Sequence, residues 1–257
     1  MTSSVKSPLL GVDDPAAFEV VRPHGRSPAF LLCDHASHRI PKQLVDLGLS
    51  EQERLDHIGW DIGAADCARA LSELLDATLV LSGYSRLVID CNRPPRVASS
   101  IPTVTGGVSV PGNADLTDQQ KAERAEACFW PYHRAVSALL DERRDTGRPT
   151  FVLSMHSFTP FLGAARPWHI AMLYGKDRRL AGAFLERLRK EERWVVGDNE
   201  PYRVTPETDY SIPNHAEDRG HPGVLIEIRQ DLLSTADGPS NWAYSIASCF
   251  GDIVKNW

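Results

Sequence analysis

The sequence predicts an α/β protein in which helices cover a sheet that is at least partly parallel. Short apolar runs typical of buried strands, such as AFLLC at 29–33 and GVLIEI at 223–228, alternate with stretches of helical periodicity. Apolar residues make up 42% of the 257 residues and charged residues 24%, which is ordinary for a globular protein with a large core. No shift in composition divides the chain, so we expect a single domain over residues 1–257.

The N-terminal stretch 1–25 has no clear apolar periodicity and is interpreted as an irregular arm. After the first strand, the residues Ser-Glu-Gln-Glu at 50–53 match a capping box, in which a serine and a glutamate satisfy backbone N–H groups at the start of a helix. Apolar residues at helical spacing carry this helix to about Asp76, with Gly59 and Gly63 as points of interruption.

Two further strands are predicted over residues 77–81 and 86–90, from apolar runs of strand length. Residues 93–116 are rich in Pro, Gly, Ser and Asn and are interpreted as a long loop. Long loops inside compact domains are commonly functional, so this loop is a candidate functional segment.

A second capping box, Thr-Asp-Gln-Gln at 117–120, begins a helix that runs to about Asp145 and stops at Gly147. The remaining elements again alternate between strand and helix, as expected for a sheet covered by helices. They are strands at 150–155, 170–174 and 224–228, helices at 178–192 and 241–254, and a loop-rich stretch at 197–222.

Composition argues against several functional classes. The net charge of −6 and the isoelectric point of about 5.8 argue against a broad nucleic-acid-binding surface, because phosphate binding requires basic residues in excess. No apolar run approaches the roughly 20 residues of a membrane helix, and we find no secretory signal pattern. Five scattered cysteines without a Cys-x-x-Cys pair argue against a disulfide framework or a cysteine zinc site and favour a reducing, cytoplasmic location.

Ionisable residues occur where three of the predicted strands end. The first strand runs into Asp34 and His35, the strand at 150–155 runs into His156, and the strand at 224–228 contains Glu227. Ligand sites in parallel sheets lie at the carboxyl ends of strands. Two imidazoles and a carboxylate suit zinc with one position open for water, and a glutamate that is not a ligand can act as general base.

Each of these residues also has an ordinary structural interpretation. A histidine after a strand is often a hydrogen-bonded or surface residue, and Glu227 could instead form a salt bridge with Arg229 or Arg86. Asp61 could be the N-cap where a helix restarts. Spacing in the sequence does not separate these alternatives from a metal site.

A second group of residues lies around the start of the long loop. The predicted strand at 86–90 delivers Asn92 and Arg93 to this loop. An arginine side chain offers a planar fork that binds a carboxylate through two hydrogen bonds. The alternative is an arginine that is solvated or paired with an acidic neighbour.

Seven motifs, in order, resemble the N-formylglutamate amidohydrolase family and together span roughly residues 29–233. They are CDHAS (33–37), WDIGA (60–64), SRLVIDCNRP (85–94), SMHSF (154–158), GDNEPY (197–202), HAEDRG (215–220) and LIEIRQD (225–231). That family is similar in fold to zinc-dependent carboxypeptidases and aspartoacylases. The resemblance therefore implies a three-layer α/β/α sandwich with a mixed, largely parallel sheet, of the type found in zinc exopeptidases and phosphorylase/hydrolase-like proteins.

The resemblance implies an amidohydrolase that converts N-formyl-L-glutamate and water to formate and glutamate. By analogy with the zinc carboxypeptidases, the metal ligands would be His35, Asp61 and His156, and Glu227 would be the general base. The substrate would be a small acidic N-acyl amino acid. The residues expected to bind its carboxylate, or the developing oxyanion, are Asn92, Arg93, Arg86 and Arg229.

The identity of the third ligand has an alternative. The zinc carboxypeptidases carry a His-x-x-Glu pair, and the residue three positions after His35 in this chain is His38. We prefer Asp61 because it lies in a motif that matches the family better. At the level of function, the alternatives are a metal-dependent amidase acting on another acyl amino acid or a peptide fragment, and a protein of this fold that binds an acidic ligand without catalysis.

Overall fold

Seven strands of the chain form one central sheet in a computed structural model that describes residues 9–257. Four further short strands form two separate hairpins. The strands are β1 (Phe18–Val21), β2 (Ala29–Cys33), β3 (Thr78–Ser82), β4 (Val104–Thr105), β5 (Val108–Ser109), β6 (Phe151–Phe158), β7 (Phe161–Leu162), β8 (Ala164–Ala165), β9 (Ile170–Leu173), β10 (Val196–Asp198) and β11 (Gly223–Arg229).

The α-helices connect these strands and pack on the sheet. They are α1 (Glu51–Leu55), α2 (Ala64–Leu75), α3 (Asp118–Arg124), α4 (Trp130–Asp145), α5 (Arg179–Arg189) and α6 (Gly238–Lys255). A π-helical turn, Ala125–Phe129, joins α3 to α4, so the predicted helix from residue 117 to 145 is continuous in space. No helix in the described part of the chain is both long and apolar enough to cross a membrane.

The sheet is mixed and largely parallel, as predicted. Its strand order is β1-β3-β2-β6-β11-β9-β10. The edge strand β1 runs antiparallel to β3, and β9 runs antiparallel to β11, whereas the other four neighbouring pairs are parallel. The central strands β2, β6 and β11 therefore all end at the same edge of the sheet, and this places the residues that follow them together.

Helices cover the sheet on both faces, which gives the three layers that the family resemblance implies. Along β2, Leu31 packs in the cluster that contains residues of α2, α5 and α6, whereas Phe30 and Leu32 pack in the cluster that contains Tyr132 and Val136 of α4. Successive side chains of a strand point to opposite faces, so a strand buried on both faces is apolar throughout. This explains the uninterrupted AFLLC run.

The prediction of a strand over residues 86–90 is wrong. The segment forms a turn closed by the Val88 N–H, which donates to the carbonyl of Ser85 at 2.9 Å. Val88 and Ile89 are nevertheless buried, because they pack with Leu47 in a third apolar cluster beside the sheet. A short apolar run indicates that a segment is buried. Burial between loops produces the same sequence pattern as burial in a strand.

The expectation of an irregular arm over residues 1–25 also needs correction. Its first eight residues lie outside the described part of the chain, but Phe18–Val21 forms the edge strand β1. This strand has one partner and is only partly buried, and Glu19 on it forms an ion pair with Arg69 at 2.6 Å. An edge strand with a polar, half-exposed sequence lacks the apolar run by which strands are recognised.

The helix predicted from residue 50 to 76 is interrupted near the two glycines, as expected. The capping box at Ser50 begins α1, which ends at Leu55, and α2 starts only at Ala64. Gly63 adopts φ +77°, and a Cβ atom there would lie 2.5 Å from the Cβ of Leu233. Only glycine fits this close approach, and the tight path brings residues 56–63 back towards the end of β2.

Candidate active site

A cavity of about 530 Å³ opens where the central parallel strands end. His35 from the segment after β2, His156 from β6 and Glu227 from β11 all line it. Asp61, which precedes α2, lines it as well. The structure thus brings together the three predicted metal ligands and the predicted general base.

Three buried side chains form a compact cluster in this cavity. The Oδ2 atom of Asp61 lies 3.2 Å from Nδ1 of His35 and 2.8 Å from Nδ1 of His156. Their three ligand atoms lie within 4.8 Å of one another. The N–H of Asp61 donates to the carbonyl of His35 at 3.0 Å, so the backbone holds the aspartate beside the end of β2.

The far nitrogen of each imidazole contacts another carboxylate. Nε2 of His35 lies 2.6 Å from Oδ1 of Asp90, and Nε2 of His156 lies 3.1 Å from Oδ2 of Asp34. These contacts orient both rings so that their Nδ1 atoms face Asp61. Histidines that ligate metals in proteins usually have such a partner on the nitrogen that does not bind the metal.

Asp34 is the centre of a buried hydrogen-bond network. Its Oδ1 accepts from the hydroxyls of Ser211 at 2.6 Å and Tyr132 at 2.9 Å, and its Oδ2 accepts from Ser154 at 2.9 Å. Burial alone would raise the pKa of Asp34, but the contact with His156 and the other donors hold it well below its usual value. Asp34 is therefore ionised and fixed in place at neutral pH.

The charge balance of the cluster fits a divalent cation. Asp34, Asp61 and Asp90 are buried carboxylates, and the only guanidinium that forms ion pairs with them among residues 9–257 is that of Arg86. Burial would lower the pKa of His156, but two of these carboxylates raise it well above its usual value. Three carboxylates and one guanidinium leave two negative charges. These are balanced either by protons on the two imidazoles or by one divalent ion. Two nitrogen donors and one oxygen donor match a zinc site that leaves a position open.

Glu227 is buried and forms no salt bridge with any residue that the structure describes. It is 7% exposed, its Oε2 atom has no hydrogen-bond partner among residues 9–257, and neither Arg86 nor Arg229 forms an ion pair with it. Burial raises the pKa of this carboxyl to about 7. The alternative in which Glu227 is half of a structural salt bridge therefore does not hold. A carboxyl with a free oxygen and a pKa near neutrality suits proton transfer.

Two of the predicted arginines line the cavity. Arg86 donates from Nε and Nη2 to Oδ2 of Asp90 at 3.1 and 2.7 Å, and its Nη1 lies 3.5 Å from Oδ1 of Asp61. Arg93 contacts Oδ1 of Asp209 from Nη1 at 3.3 Å. Arg86 is thus largely committed to the carboxylates around the cluster, and the partly exposed Arg93 faces the cavity with one acidic neighbour.

Asn92 lines the cavity but is largely occupied by the loop that packs against it. Its Oδ1 accepts from the N–H groups of Tyr210 at 3.2 Å and Ser211 at 3.0 Å, and its Nδ2 donates to Asp209 at 3.2 Å. One amide hydrogen remains for a ligand. Asn92 therefore ties the loop that carries Arg93 to the loop that contains Asp209, Tyr210 and Ser211.

Two other candidate residues lie away from the cluster. Arg229 does not line the cavity, because its guanidinium pairs with Asp231 at 2.8 Å and donates to the carbonyl of Arg166. The ring of His38 packs edge-on against Trp60, with ring centroids 5.0 Å apart. Of the two candidates for the third ligand, only Asp61 belongs to the cluster.

Sequence reasoning assigned no role to the acidic partners behind the histidines. Asp34 and Asp90 each follow a buried apolar run directly, which is the signal that identified His35. The cavity is also lined by Asp209 and Arg203. Both lie in the loop-rich stretch 197–222, where no sequence pattern comparable to a strand end marks them.

Comparison with known proteins identifies the family of this chain. The model of the N-formylglutamate amidohydrolase family matches residues 27–234. A crystal structure of a gene product from Agrobacterium tumefaciens is 34% identical, with a TM-score of 0.93, over 96% of this chain and 98% of that one. N-formylglutamate amidohydrolase from Ralstonia eutropha shares the fold at 18% identity, with a TM-score of 0.67, over 94% of this chain and 98% of that one. No curated protein matches the sequence. The chain belongs to the N-formylglutamate amidohydrolase family and is a hydrolase of that type.

Proposed function

We propose that this enzyme hydrolyses the amide bond of a small acidic N-acyl amino acid and that N-formyl-L-glutamate is its first candidate substrate. The observation that carries the proposal is the cluster of His35, Asp61 and His156 beside the unpartnered carboxyl of Glu227. A cluster of metal-ligating atoms next to a buried base is the arrangement that metal-assisted amide hydrolysis requires.

We infer that His35, Asp61 and His156 hold a divalent ion, with zinc as the expected metal. When bound, such an ion supplies Lewis acidity, which polarises a carbonyl oxygen and lowers the pKa of water to about 7. Asp34 and Asp90 contribute by orienting the two imidazoles, since each contacts the ring nitrogen that faces away from Asp61.

Glu227 is proposed to move the proton. It takes a proton from the water that attacks the formyl carbon, and it later gives this proton to the amide nitrogen. A new carbon–oxygen bond forms, the carbon–nitrogen bond breaks, and the products are formate and the free amine. Its position supports this role, because the carboxyl lines the same cavity as the cluster and its Oε2 has no competing partner among the described residues.

Arg93 and Asn92 are proposed to bind a carboxylate of the substrate, and Arg86 to stabilise negative charge near the reacting carbonyl. Arg93 faces the cavity with a partly exposed guanidinium. Within residues 9–257, Nη1 of Arg86 has only one long contact, at 3.5 Å to Asp61. The net charge of −6 does not oppose an anionic substrate, because the local field of a cavity decides what binds there.

The size of the cavity favours one alternative substrate class. Its volume of about 530 Å³ lies in the range of sites that hold drug-sized ligands, roughly 300–1,000 Å³. An acyl group larger than formyl, or a peptide fragment, therefore also fits.

We also propose that the protein is located in a reducing cytoplasm, which the five buried and unpaired cysteines support.

Metal analysis combined with a formate-release assay tests the proposed function. We expect about one zinc ion per chain, loss of activity on chelation, and recovery when zinc is restored. Formyl, acetyl and succinyl derivatives of glutamate, compared side by side, identify the preferred acyl group. A protein without metal that hydrolyses none of these compounds would contradict the proposal and favour a non-catalytic binder of acidic ligands.

A further inference from the structure

Among the described residues 9–257, three arginines line the cavity, and one of them has no partner there. Arg86 is held by Asp90 and Asp61, and Arg93 by Asp209. Arg203 lines the same cavity, yet it takes part in no hydrogen bond, ion pair or ring contact among residues 9–257. Its side chain is exposed, which places it towards the opening of the cavity.

The backbone on both sides of Arg203 is anchored. Val204 is 3% exposed and packs in the apolar cluster that contains Phe30 and Leu32 of β2. The hydroxyl of Tyr202 accepts from Nη1 of Arg166 at 2.8 Å, and that guanidinium lies 4.9 Å from the centre of the tyrosine ring. Further along, the N–H of Thr205 donates to Asp209 at 3.1 Å. Arg203 is therefore held at the cavity by its neighbours while its own guanidinium stays free.

A free guanidinium on the wall of a cavity is suited to a ligand anion. Its planar fork binds a carboxylate through two parallel hydrogen bonds. The loop does not need an ion pair of Arg203 to keep its conformation, because the neighbouring residues anchor it. The cavity also holds Arg93, which the proposed function assigns to one carboxylate. Two separate guanidinium groups in one cavity match a substrate that carries two carboxylates.

We propose that Arg203 is a specificity-determining residue that binds the second carboxylate of a dicarboxylic N-acyl amino acid. This inference rests on the proposed function, which it deepens by naming the residue that selects an acidic side chain. Arg86 is a poorer candidate for this role, since its Nε and Nη2 already bind Asp90 and it lies next to the cluster.

Steady-state kinetics with two nearly isosteric substrates test the proposal. N-formyl-L-glutamate and N-formyl-L-glutamine differ by one charge at the side chain. We expect Arg203→Met to lower kcat/KM for the glutamate substrate by about 10- to 100-fold, mainly through KM, because a charged hydrogen-bonded contact is lost. We expect the glutamine substrate to change by less than about threefold. Arg203→Lys should restore part of the preference.

Arg96→Met is the matched control, because Arg96 is an exposed arginine that does not line the cavity and its loss changes the net charge equally. It should keep the kinetics of the wild type. An equal loss for both substrates in Arg203→Met would show a merely structural role. Unchanged kinetics with both substrates would show no role. Either result overturns the proposal.

A binding measurement separates failure of this proposal from failure of the proposed function. If the wild type turns over neither formyl substrate, calorimetry with glutarate and butyrate still decides the role of Arg203. We expect the wild type to bind the dicarboxylate more tightly than the monocarboxylate and Arg203→Met to lose that difference. A difference that persists in the variant, or that the wild type lacks, overturns the proposal.

Discussion

Glu227 on β11 lies directly across from His156 on β6, because the two central strands pair in parallel with these residues in register. Residues opposite each other on adjacent strands share one face of the sheet. His156 is held by carboxylates at both ring nitrogens, whereas Oε2 of Glu227 has no partner in the described part of the chain. The register of two strands thus places a free carboxyl beside the cluster of His35, Asp61 and His156.

Replacement of the Glu227 carboxyl should affect turnover without affecting metal binding. We expect Glu227→Gln to lower turnover by roughly 10²- to 10⁴-fold, because the amide keeps the shape of the side chain but does not accept the proton of water. Metal content should stay at the wild-type value, since Glu227 is outside the cluster of ligand atoms. Glu186→Gln on the exposed face of α5 is the control. Turnover near the wild-type rate would rule out Glu227 as the base.

Asp34 should act on metal binding through His156. We expect Asp34→Asn to weaken metal affinity by about 10- to 100-fold, because the neutral amide holds the imidazole less firmly. Tyr132→Phe removes one donor to Asp34 and keeps its carboxylate, so its effect should be smaller. Competition with a chelator of known affinity measures both variants. Equal affinity of Asp34→Asn and the wild type would contradict a positioning role.

Gly63 should couple the stability of the fold to the position of Asp61. Gly63→Ala combines strain at φ +77° with a clash between its Cβ and Leu233. We expect it to lower the free energy of unfolding by about 2–4 kcal/mol and to weaken metal binding. Gly147→Ala is the control, because Gly147 has φ +67° and no atom of the described residues lies within 4 Å of the added Cβ.

This control should lose only about 1–2 kcal/mol of stability and no metal affinity. Thermal unfolding and metal titration measure the two effects. Equal behaviour of both glycine variants would show that the close approach to Leu233 is unimportant for the site.

Two buried histidines below the site should make the fold sensitive to acid. Nδ1 of His133 lies 2.8 Å from Nε2 of His215, and burial lowers their pKa values to about 4 and about 3. An unfolded histidine has a pKa of about 6.5, so between about pH 6.5 and 4 the unfolded chain binds protons that the folded chain does not. Their contribution to stability is therefore fully present above about pH 6.5 and is lost as the pH falls.

Chemical denaturation between pH 7 and pH 4.5 measures this effect. One such histidine contributes a slope of up to about 1.4 kcal/mol per pH unit. We expect His215→Gln to flatten the profile by up to this amount, and we expect His24→Gln, at an exposed loop position, to leave it unchanged. A profile of His215→Gln that is parallel to the wild type would contradict the assignment.

The fold was predictable where a segment is either fully buried or amphipathic. The strand at Ala29–Cys33 and the helix cap at Ser50 were predicted correctly, because burial on both faces and side-chain capping are local properties of a sequence. The segment 86–90 was predicted wrongly, since its apolar residues are buried between loops. The edge strand Phe18–Val21 was missed, because it is half-exposed and depends on pairing with residues far along the chain.

The sequence by itself determined the family, the layered sheet and the candidate groups at strand ends, namely His35, His156 and Glu227. These follow from the residue types and from the chain order of strands. Only the tertiary structure decided that Asp61 rather than His38 joins the cluster and that Arg229 lies away from the cavity. These outcomes depend on the paths of loops and on hydrogen bonds between distant segments, such as that from the N–H of Asp61 to the carbonyl of His35. No local pattern encodes such contacts, because they form only when the strands have paired.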